Sequence, residues 1–390
     1  MKSPWLAACV AILLASCAPS QPEPTPWPTG GWSASSPAEQ GMDAERLAAL
    51  GGNLADEHGN IDGMLVIRNG RVVVERHYPR DYDTVNLGKG GAPGLYNYYD
   101  PEWHPYYQDS ELHTMQSVTK SVTSALIGIA IGRGEIAGVQ VPVIDFLDDS
   151  EVANVDEWKR SMTLQDLLTM RAGIAWDEDS VPYTDPRNSC AGMENSDDWI
   201  QFVVDQPMSD QPGTVFNYNS GASELLALII KKATGKHVDE YAEEHLFGPL
   251  GITRYFWKKT PTGYPDTEGG LYLAGEDLAK IGYLYMKDGV WDQVRVLPEG
   301  WVAASVESRT DDTGWLGMGY GYQWWLVPWG PTDEARAYAA LGYGEQYLFV
   351  VPELDLVAVF TGWNIDDGPG LDPRFALDAV VGAVIDQSER

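Results

Sequence analysis

Ser117 and Lys120 sit in the run Met115-Gln116-Ser117-Val118-Thr119-Lys120-Ser121, which puts a hydroxyl and an amine three residues apart just ahead of an apolar stretch, Val122 to Ile131. Residues i and i+3 share a helix face, so the lysine nitrogen can lie beside the serine oxygen. In the first turn of that helix, unpaired backbone N–H groups and the positive end of the dipole would stabilise negative charge developing at Ser117. The chemistry is that of a serine nucleophile with a lysine partner. Ser-x-x-Lys is short enough for chance to supply, so the residues around its single occurrence must decide.

A second stretch, Pro212-Gly213-Thr214-Val215-Phe216-Asn217-Tyr218-Asn219-Ser220-Gly221, runs into a helix that ends near Thr234. A tyrosine in a glycine-bounded loop is ordinarily a packing residue. Beside Ser-x-x-Lys it gains another use: a phenol near a cationic amine has its ionised form favoured, and a buried amine is more easily left neutral. The pair could then share the proton taken from Ser117. Competing chemistries lose support. The chain has no His-Glu-x-x-His, no ligand spacing among its histidines, no Gly-x-Ser-x-Gly, no Walker sequence and no Gly-x-Gly-x-x-Gly after a strand, so neither a metal nor a cofactor is expected. Cys190 reads as a passive thiol rather than a nucleophile.

The elements that must position these groups change character along the chain. Met42 to Leu54 has helical spacing, and Met64–Arg68 and Val72–Arg76 flank Asn69-Gly70, a strong hairpin turn signal. Residues 82 to 112 lack a period but hold Tyr96, Tyr98, Tyr99, Trp103, Tyr106 and Tyr107, either as cleft lining or as loop packing. From Ser117 to Gly251 nearly every segment is helical, with breaks at Gly132-Arg133-Gly134, Gly173, Pro207, Gly235 and Gly248-Pro249. A helix from Ala274 to Lys287 follows, then Trp301 to Glu307, then strands at Tyr320–Val327, Ala337–Leu341, Tyr347–Val351 and Leu356–Thr361, and a last helix from about Pro373 to Asp386. The economical arrangement is α+β: an antiparallel sheet flanked by helices, built from residues 41–116 and 256–390, with residues 117–255 as a mostly helical inserted domain.

A chain of 390 residues, 44% hydrophobic, can bury a large core, and its formal charge of −31 argues against a nucleic-acid partner. Lys2 followed by the apolar stretch Trp5 to Ala15 fits a secretory signal and is too short to span a bilayer stably. Leu14-Ala15-Ser16-Cys17 resembles a bacterial lipobox, which implies cleavage after residue 16, lipidation of Cys17 and an exported protein held on the outer face of a membrane. Residues 18–40 then read as a proline-rich tether, with Pro19, Pro22, Pro24, Pro26 and Pro28 keeping its first half extended and unpacked.

Ser117-Val118-Thr119-Lys120, Pro212-Gly213-Thr214 with Tyr218-Asn219-Ser220, and Gly342-Tyr343-Gly344 ahead of a strand ending Val351-Pro352-Glu353 together resemble the three ordered motifs of the serine β-lactamase and penicillin-binding-protein superfamily. The branch most similar is the class C-like one of esterases, D-aminopeptidases and 6-aminohexanoate-dimer hydrolases. Thr163 to Gly173, Phe247 to Ile252 and Gly270 to Leu273 support the match, which runs from about Gly41 to the C-terminus. The resemblance implies that Ser117 forms an acyl-enzyme, that Lys120 holds or relays its proton, and that Tyr218 is base in acylation and acid toward the leaving group. It also implies an oxyanion hole made by the Ser117 N–H and by either Glu345 or Gln346. Ser220 stands where class C β-lactamases carry Asn, and the third motif lacks its usual Lys or His, which weakens the case for a carboxylate-bearing substrate.

The expected activity is therefore cofactor-free serine hydrolysis of a small ester, amide or peptide. A DD-peptidase or β-lactamase is the alternative enzyme, and a non-catalytic cell-surface binding or sensor protein is the alternative of another class. Trp176, Tyr183 and Trp199 either touch substrate or pack. The oligomeric state is not legible.

Overall fold

The computed structural model describes residues 27–58, 60–86, 88–89, 98–99, 103–330, 332–365 and 370–385. Cys17, the signal segment and the tether through residue 26 lie outside them, as does Tyr96. An eight-stranded sheet forms the centre. Its strands, in chain order, are β1 (Ser33–Ala34), β2 (Ile61–Arg68), β3 (Arg71–His77), β4 (Gly319–Tyr320), β5 (Trp325–Trp329), β6 (Ala335–Gly342), β7 (Gln346–Val351) and β8 (Leu356–Gly362). In space they run β1-β3-β2-β8-β7-β6-β5-β4. Every neighbouring pair is antiparallel except β1 with β3. Asn69 and Gly70 both take positive φ, 52° and 71°, as the tight turn between β2 and β3 requires.

Strand alternation divides the core into two layers. Val66, Phe349, Ala358 and Phe360 face one side, where they meet Leu47, Leu50 and Leu54 of α1 (Ala44–Asp56) and Leu377 and Val380 of the C-terminal helix Pro373–Val381. Leu65, Leu348, Val350, Val357 and Val359 face the other, against Leu278, Ile281 and Leu284 of the helix Gly275–Met286. That helix lies so close to the sheet that a Cβ on Gly282 would sit 2.7 Å from Leu348 Cδ1 and 3.1 Å from Val357 Cγ1, so a larger residue would force these side chains to shift.

The helical half shares a core with the sheet. The helix Val118–Gly132, called α2 below, is buried from Val118 through Ala130, and its Val122, Leu126 and Ile129 belong to the same apolar cluster as Leu348 and Val350 of the sheet. A helix apolar on all sides must be covered on all sides. The sheet covers one flank of α2, and the helix Ser220–Thr234, called α3, covers another with Leu225, Leu226, Ile229 and Ile230. A small sheet of His113–Thr114, Phe256–Trp257 and Leu271–Leu273 brackets the helical half, just ahead of Ser117 and just after Tyr255.

The tether expected through residue 40 ends earlier. Trp27 packs on Tyr283 and Trp291 with ring centroids 5.5 and 5.2 Å away, Pro28 is buried, and β1 pairs with β3. Large aromatics at 27 and 32 outweigh the extended bias of the nearby prolines. The expected strand from Tyr320 to Val327 is likewise interrupted at Gly321–Trp324, where the Gln323 side chain turns inward to donate to Leu167 O and to accept from Ser223.

Candidate active site

Ser117 closes the sharp turn that opens α2. Gln116 before it takes φ 47°, a left-handed conformation that costs a non-glycine residue about 1 kcal/mol or more and that turns the chain from the His113–Thr114 strand into the helix. Lys120, one turn along and 1% exposed, points back beneath Ser117. Its Nζ donates to Ser117 Oγ at 2.8 Å, to the backbone oxygen of Glu268 at 2.8 Å and to Glu268 Oε2 at 3.1 Å. These three contacts use all three N–H bonds of an ammonium.

Tyr218 reaches the same point from the loop ahead of α3. Gly213 at φ 79° starts that loop; Asn217 N donates to Met170 O at 2.8 Å and Asn217 Nδ2 to Trp176 O at 2.9 Å; and Asn219 caps α3 by accepting from Ala222 N. The Tyr218 ring stacks on Trp325, 5.8 Å between centroids at 22°, and lies 5.3 Å from Lys120 Nζ. Tyr218 and Ser117 line the same cleft. Serine, lysine and tyrosine, distant in sequence, thus share one floor.

Two acids that the sequence reading did not single out organise this floor. Glu178 is 3% exposed and accepts four hydrogen bonds: Trp176 Nε1 at 2.7 Å and Ser220 N at 2.8 Å on Oε2, and Ser220 Oγ at 2.7 Å and Tyr183 hydroxyl at 2.8 Å on Oε1. Glu268 carries Lys120. No local spacing in the sequence marks either of them. Ser220, expected to face substrate, is 1% exposed and is spent on Glu178.

Burial alone would push the Lys120 ammonium toward neutrality, but the charges of Tyr218, Glu268 and Glu178 outweigh burial and hold its pKa above the ordinary lysine value. The expectation of an easily neutral amine left out these opposing charges, Tyr218 first and Glu268 next. Burial raises the Tyr218 phenol, with the Lys120 charge opposing. Glu178 is raised by burial, and Glu268 is lowered because Lys120 and the neighbouring Glu194 overcome burial. Lys120 and Tyr218 face each other across Ser117, so they titrate as a pair.

Above the floor lies a cleft of about 580 Å³ whose walls include Ser117, Tyr183, Tyr218, Trp315, Trp325 and Tyr343. Its charged wall residues, among those described, are Asp179 and Glu345, with no Lys or Arg. Gly342 at the end of β6 lies against the nucleophile's own segment, where a Cβ would come within 2.5 Å of Met115 O. The Glu345 N–H, one of the two donors proposed for the oxyanion hole, is turned to Gly342 O at 3.2 Å. The Gln346 side chain is fully buried and bonds Gly362 and Tyr343 backbone oxygens, so it braces the turn rather than facing substrate. Gly344 (φ 77°) lines the cleft and lies behind Tyr343 against Trp363.

Of the aromatic candidates, Tyr183 lines the cleft, whereas Trp176 and Trp199 belong to the core. Tyr98 packs behind Tyr343, 4.8 Å between centroids, while Tyr106 and Tyr107 line a different hollow with Lys258 and Tyr272. Cys190 is 2% exposed, and burial raises its thiol well above the ordinary range, as a passive thiol requires. Cys190, Glu194 and Glu268 offer possible metal-ligand atoms within 4.8 Å of one another, but the Lys120 ammonium already occupies Glu268 Oε2.

The Beta-lactamase family model matches residues 43–377. The chain belongs to the β-lactamase family. Within it, the chain is 26% identical over 387 aligned positions to the 6-aminohexanoate-dimer hydrolase of Paenarthrobacter ureafaciens, covering 90% of this chain and 89% of that one. Its fold is shared with EstCE1, a hydrolase with promiscuous acyltransferase activity (TM-score 0.66, 16% identity, 90% of this chain and 100% of that one). It is shared also with an octameric penicillin-binding protein homologue from Pyrococcus abyssi (TM-score 0.62, 20% identity, 88% and 78%). This β-lactamase-family protein is a serine hydrolase, and its α+β fold is the family's.

Proposed function

We propose that the protein cleaves a small ester or amide through an acyl-enzyme on Ser117. The observation that carries this is the 2.8 Å contact of Lys120 Nζ with Ser117 Oγ at the floor of a cleft that Tyr218 also lines. Ser117 Oγ attacks the carbonyl carbon while its proton passes to the Lys120–Tyr218 pair. With Lys120 held as an ammonium by Glu268, the oxygen free to take that proton is Tyr218 once its phenol has ionised, and the ammonium offsets the charge of the phenolate. The tetrahedral oxyanion forms over the start of α2, where the Ser117 N–H and the helix dipole favour it, with the Glu345 or Gln346 N–H as the second donor. Tyr218 then protonates the leaving alcohol or amine, and water repeats the sequence on the acyl group.

The cleft's charge separates this reading from a β-lactamase or DD-peptidase. Asp179 and Glu345 in the wall, with no described cation beside them, disfavour a substrate whose recognition depends on its carboxylate. The similarity to a 6-aminohexanoate-dimer hydrolase supports amides among the substrates. A panel of p-nitrophenyl butyrate, a matched butyryl anilide, nitrocefin and a D-Ala-D-Ala peptide decides: the uncharged ester or anilide should have the highest kcat/KM, and all turnover should vanish in Ser117→Ala. A kcat/KM for nitrocefin or the peptide above both neutral substrates would overturn the assignment.

We further propose that the chain is exported and lipid-anchored through Cys17 to the outer face of a bacterial membrane, a reading supported by Leu14-Ala15-Ser16-Cys17 after an apolar run. Palmitate labelling that persists in Cys17→Ala would overturn it.

A further inference from the structure

We infer that Glu268, which does not line the cleft, is a positioning residue that fixes Lys120 as the ammonium partner of Ser117, with Glu194 as its brace. The inference rests on the reading of Ser117 as nucleophile and goes beyond it to the group that sets the state of its partner.

Glu268 is 5% exposed and meets Lys120 twice, through its backbone oxygen at 2.8 Å and through Oε2 at 3.1 Å. Its backbone cannot drift. Asp266 Oδ1 accepts from the Glu268 and Gly269 N–H groups at 3.0 and 2.8 Å. Thr267 is bolted to α3, its N–H on Glu224 Oε2 at 2.8 Å and its hydroxyl on Ser223 O at 3.0 Å. The Glu194 carboxyl, from the helix Ser189–Glu194, lies within 4.8 Å of the Glu268 carboxyl and is raised by burial, so it is the protonated partner of that pair, and Cys190 Sγ of the same helix lies 4.0 Å from Oε1. A buried carboxylate with this many fixed partners is a rigid counter-charge.

Its consequence falls on Lys120. Tyr218, Glu268, Glu178 and Cys190 all act on the ammonium, and of these Tyr218 lines the cleft. Asp266 and Glu224 lie behind Glu268, and Lys258 acts on Glu194 and Asp266 from the far side. Only Glu268 makes an ion pair with Lys120 among the described residues. Without its charge, the ammonium would stay buried on Ser117 Oγ and a carbonyl, where desolvation favours the neutral amine.

The test is the rate of Ser117 labelling by a fluorophosphonate from pH 5 to 11, on the full chain and its variants. Glu268→Gln keeps the shape and an acceptor for Nζ but removes the charge. The ascending limb should move to lower pH by about one unit or more, the effect expected of a charge about 3 Å away in a buried site. Glu268→Asp should restore the limb with a lower plateau. Glu194→Leu should move it the same way by less, because Glu268 loses the neighbour that helps hold it ionised. Equal slowing at every pH in a folded Glu268→Gln variant would assign Glu268 a merely structural role and overturn the inference. Should Glu268→Gln fail to fold, an unmoved limb in Glu194→Leu does the same. Failure of the wild type to label at Ser117 would instead overturn the acyl-enzyme reading.

Discussion

Replacing Glu178 separates its charge from its hydrogen bonds. Its Oε2 serves two donors that cannot reverse, the Trp176 indole and the Ser220 N–H, and its Oε1 serves two hydroxyls, Ser220 and Tyr183, that can. In Glu178→Gln the amide oxygen can face the two N–H groups while the amide nitrogen donates to the hydroxyls, so every partner stays satisfied. Glu178→Ala leaves both N–H donors buried and unpaired at about 1–3 kcal/mol each, or about 2–6 kcal/mol in all. Ser220 opens α3 two residues after Tyr218, so the same change lets the phenol drift, and a displacement near 1 Å is enough for roughly a 10²-fold loss in rate. Urea unfolding and kcat/KM on p-nitrophenyl butyrate measure both effects. Glu178→Gln should stay within about 1 kcal/mol of wild type. The reasoning is refuted if Glu178→Ala unfolds within about 0.5 kcal/mol of wild type, the range of an ordinary surface change, or if Gln is as damaging as Ala.

Tyr218→Phe keeps the stack on Trp325 and the ring beside Lys120 but removes the proton carrier, so kcat should fall about 10²–10⁴-fold with KM little changed; a loss under tenfold in steady-state kinetics would assign the proton to another group. Asp266 is pushed up to about 7 by burial and the neighbouring Glu268 charge, whereas in an unfolded chain it titrates near 3.9. Between those values the folded state binds the extra proton, so stability should fall as pH rises, by up to about 1.4 kcal/mol per pH unit from this group. Glu178, Glu194 and Glu224, also raised by burial, act in the same direction. Thermal unfolding should therefore give a higher midpoint at pH 5 than at pH 8, and a flat or reversed profile would contradict the buried-acid assignment. Gly342→Ala places a Cβ against Met115 O, where backbone rather than a side-chain tip must yield. The strand end should be driven off the nucleophile at a cost of about 1–3 kcal/mol, read by calorimetry, with kcat/KM reduced more than tenfold.

Periodicity carried most of the fold. Asn69-Gly70 located the first hairpin, and the continuous apolar run Leu356–Thr361 between turn residues located a central strand buried on both faces, because a short apolar run and a tight-turn dipeptide are local signals. What periodicity could not show was that α2 shares its core with the sheet: an all-apolar helix says that it is covered, not by what. In the site, Ser117, Lys120 and Tyr218 could be picked out because their chemistry is written in residue type and order. Glu178 and Glu268 could not, since an acid in a turn looks the same whether water or a lysine waits across the fold. Ser220 was misread toward the cleft for the same reason: its partner, Glu178, lies 42 residues away.

Everything above turns on Ser117 as the nucleophile of an acyl-enzyme. Intact-protein mass spectrometry after treatment with a fluorophosphonate, followed by peptide mapping, tests it directly. The account predicts one adduct on the peptide containing Ser117 and none on the Ser117→Ala protein. An adduct of equal yield on Ser117→Ala, or one mapped to a different serine in the wild type, would contradict it.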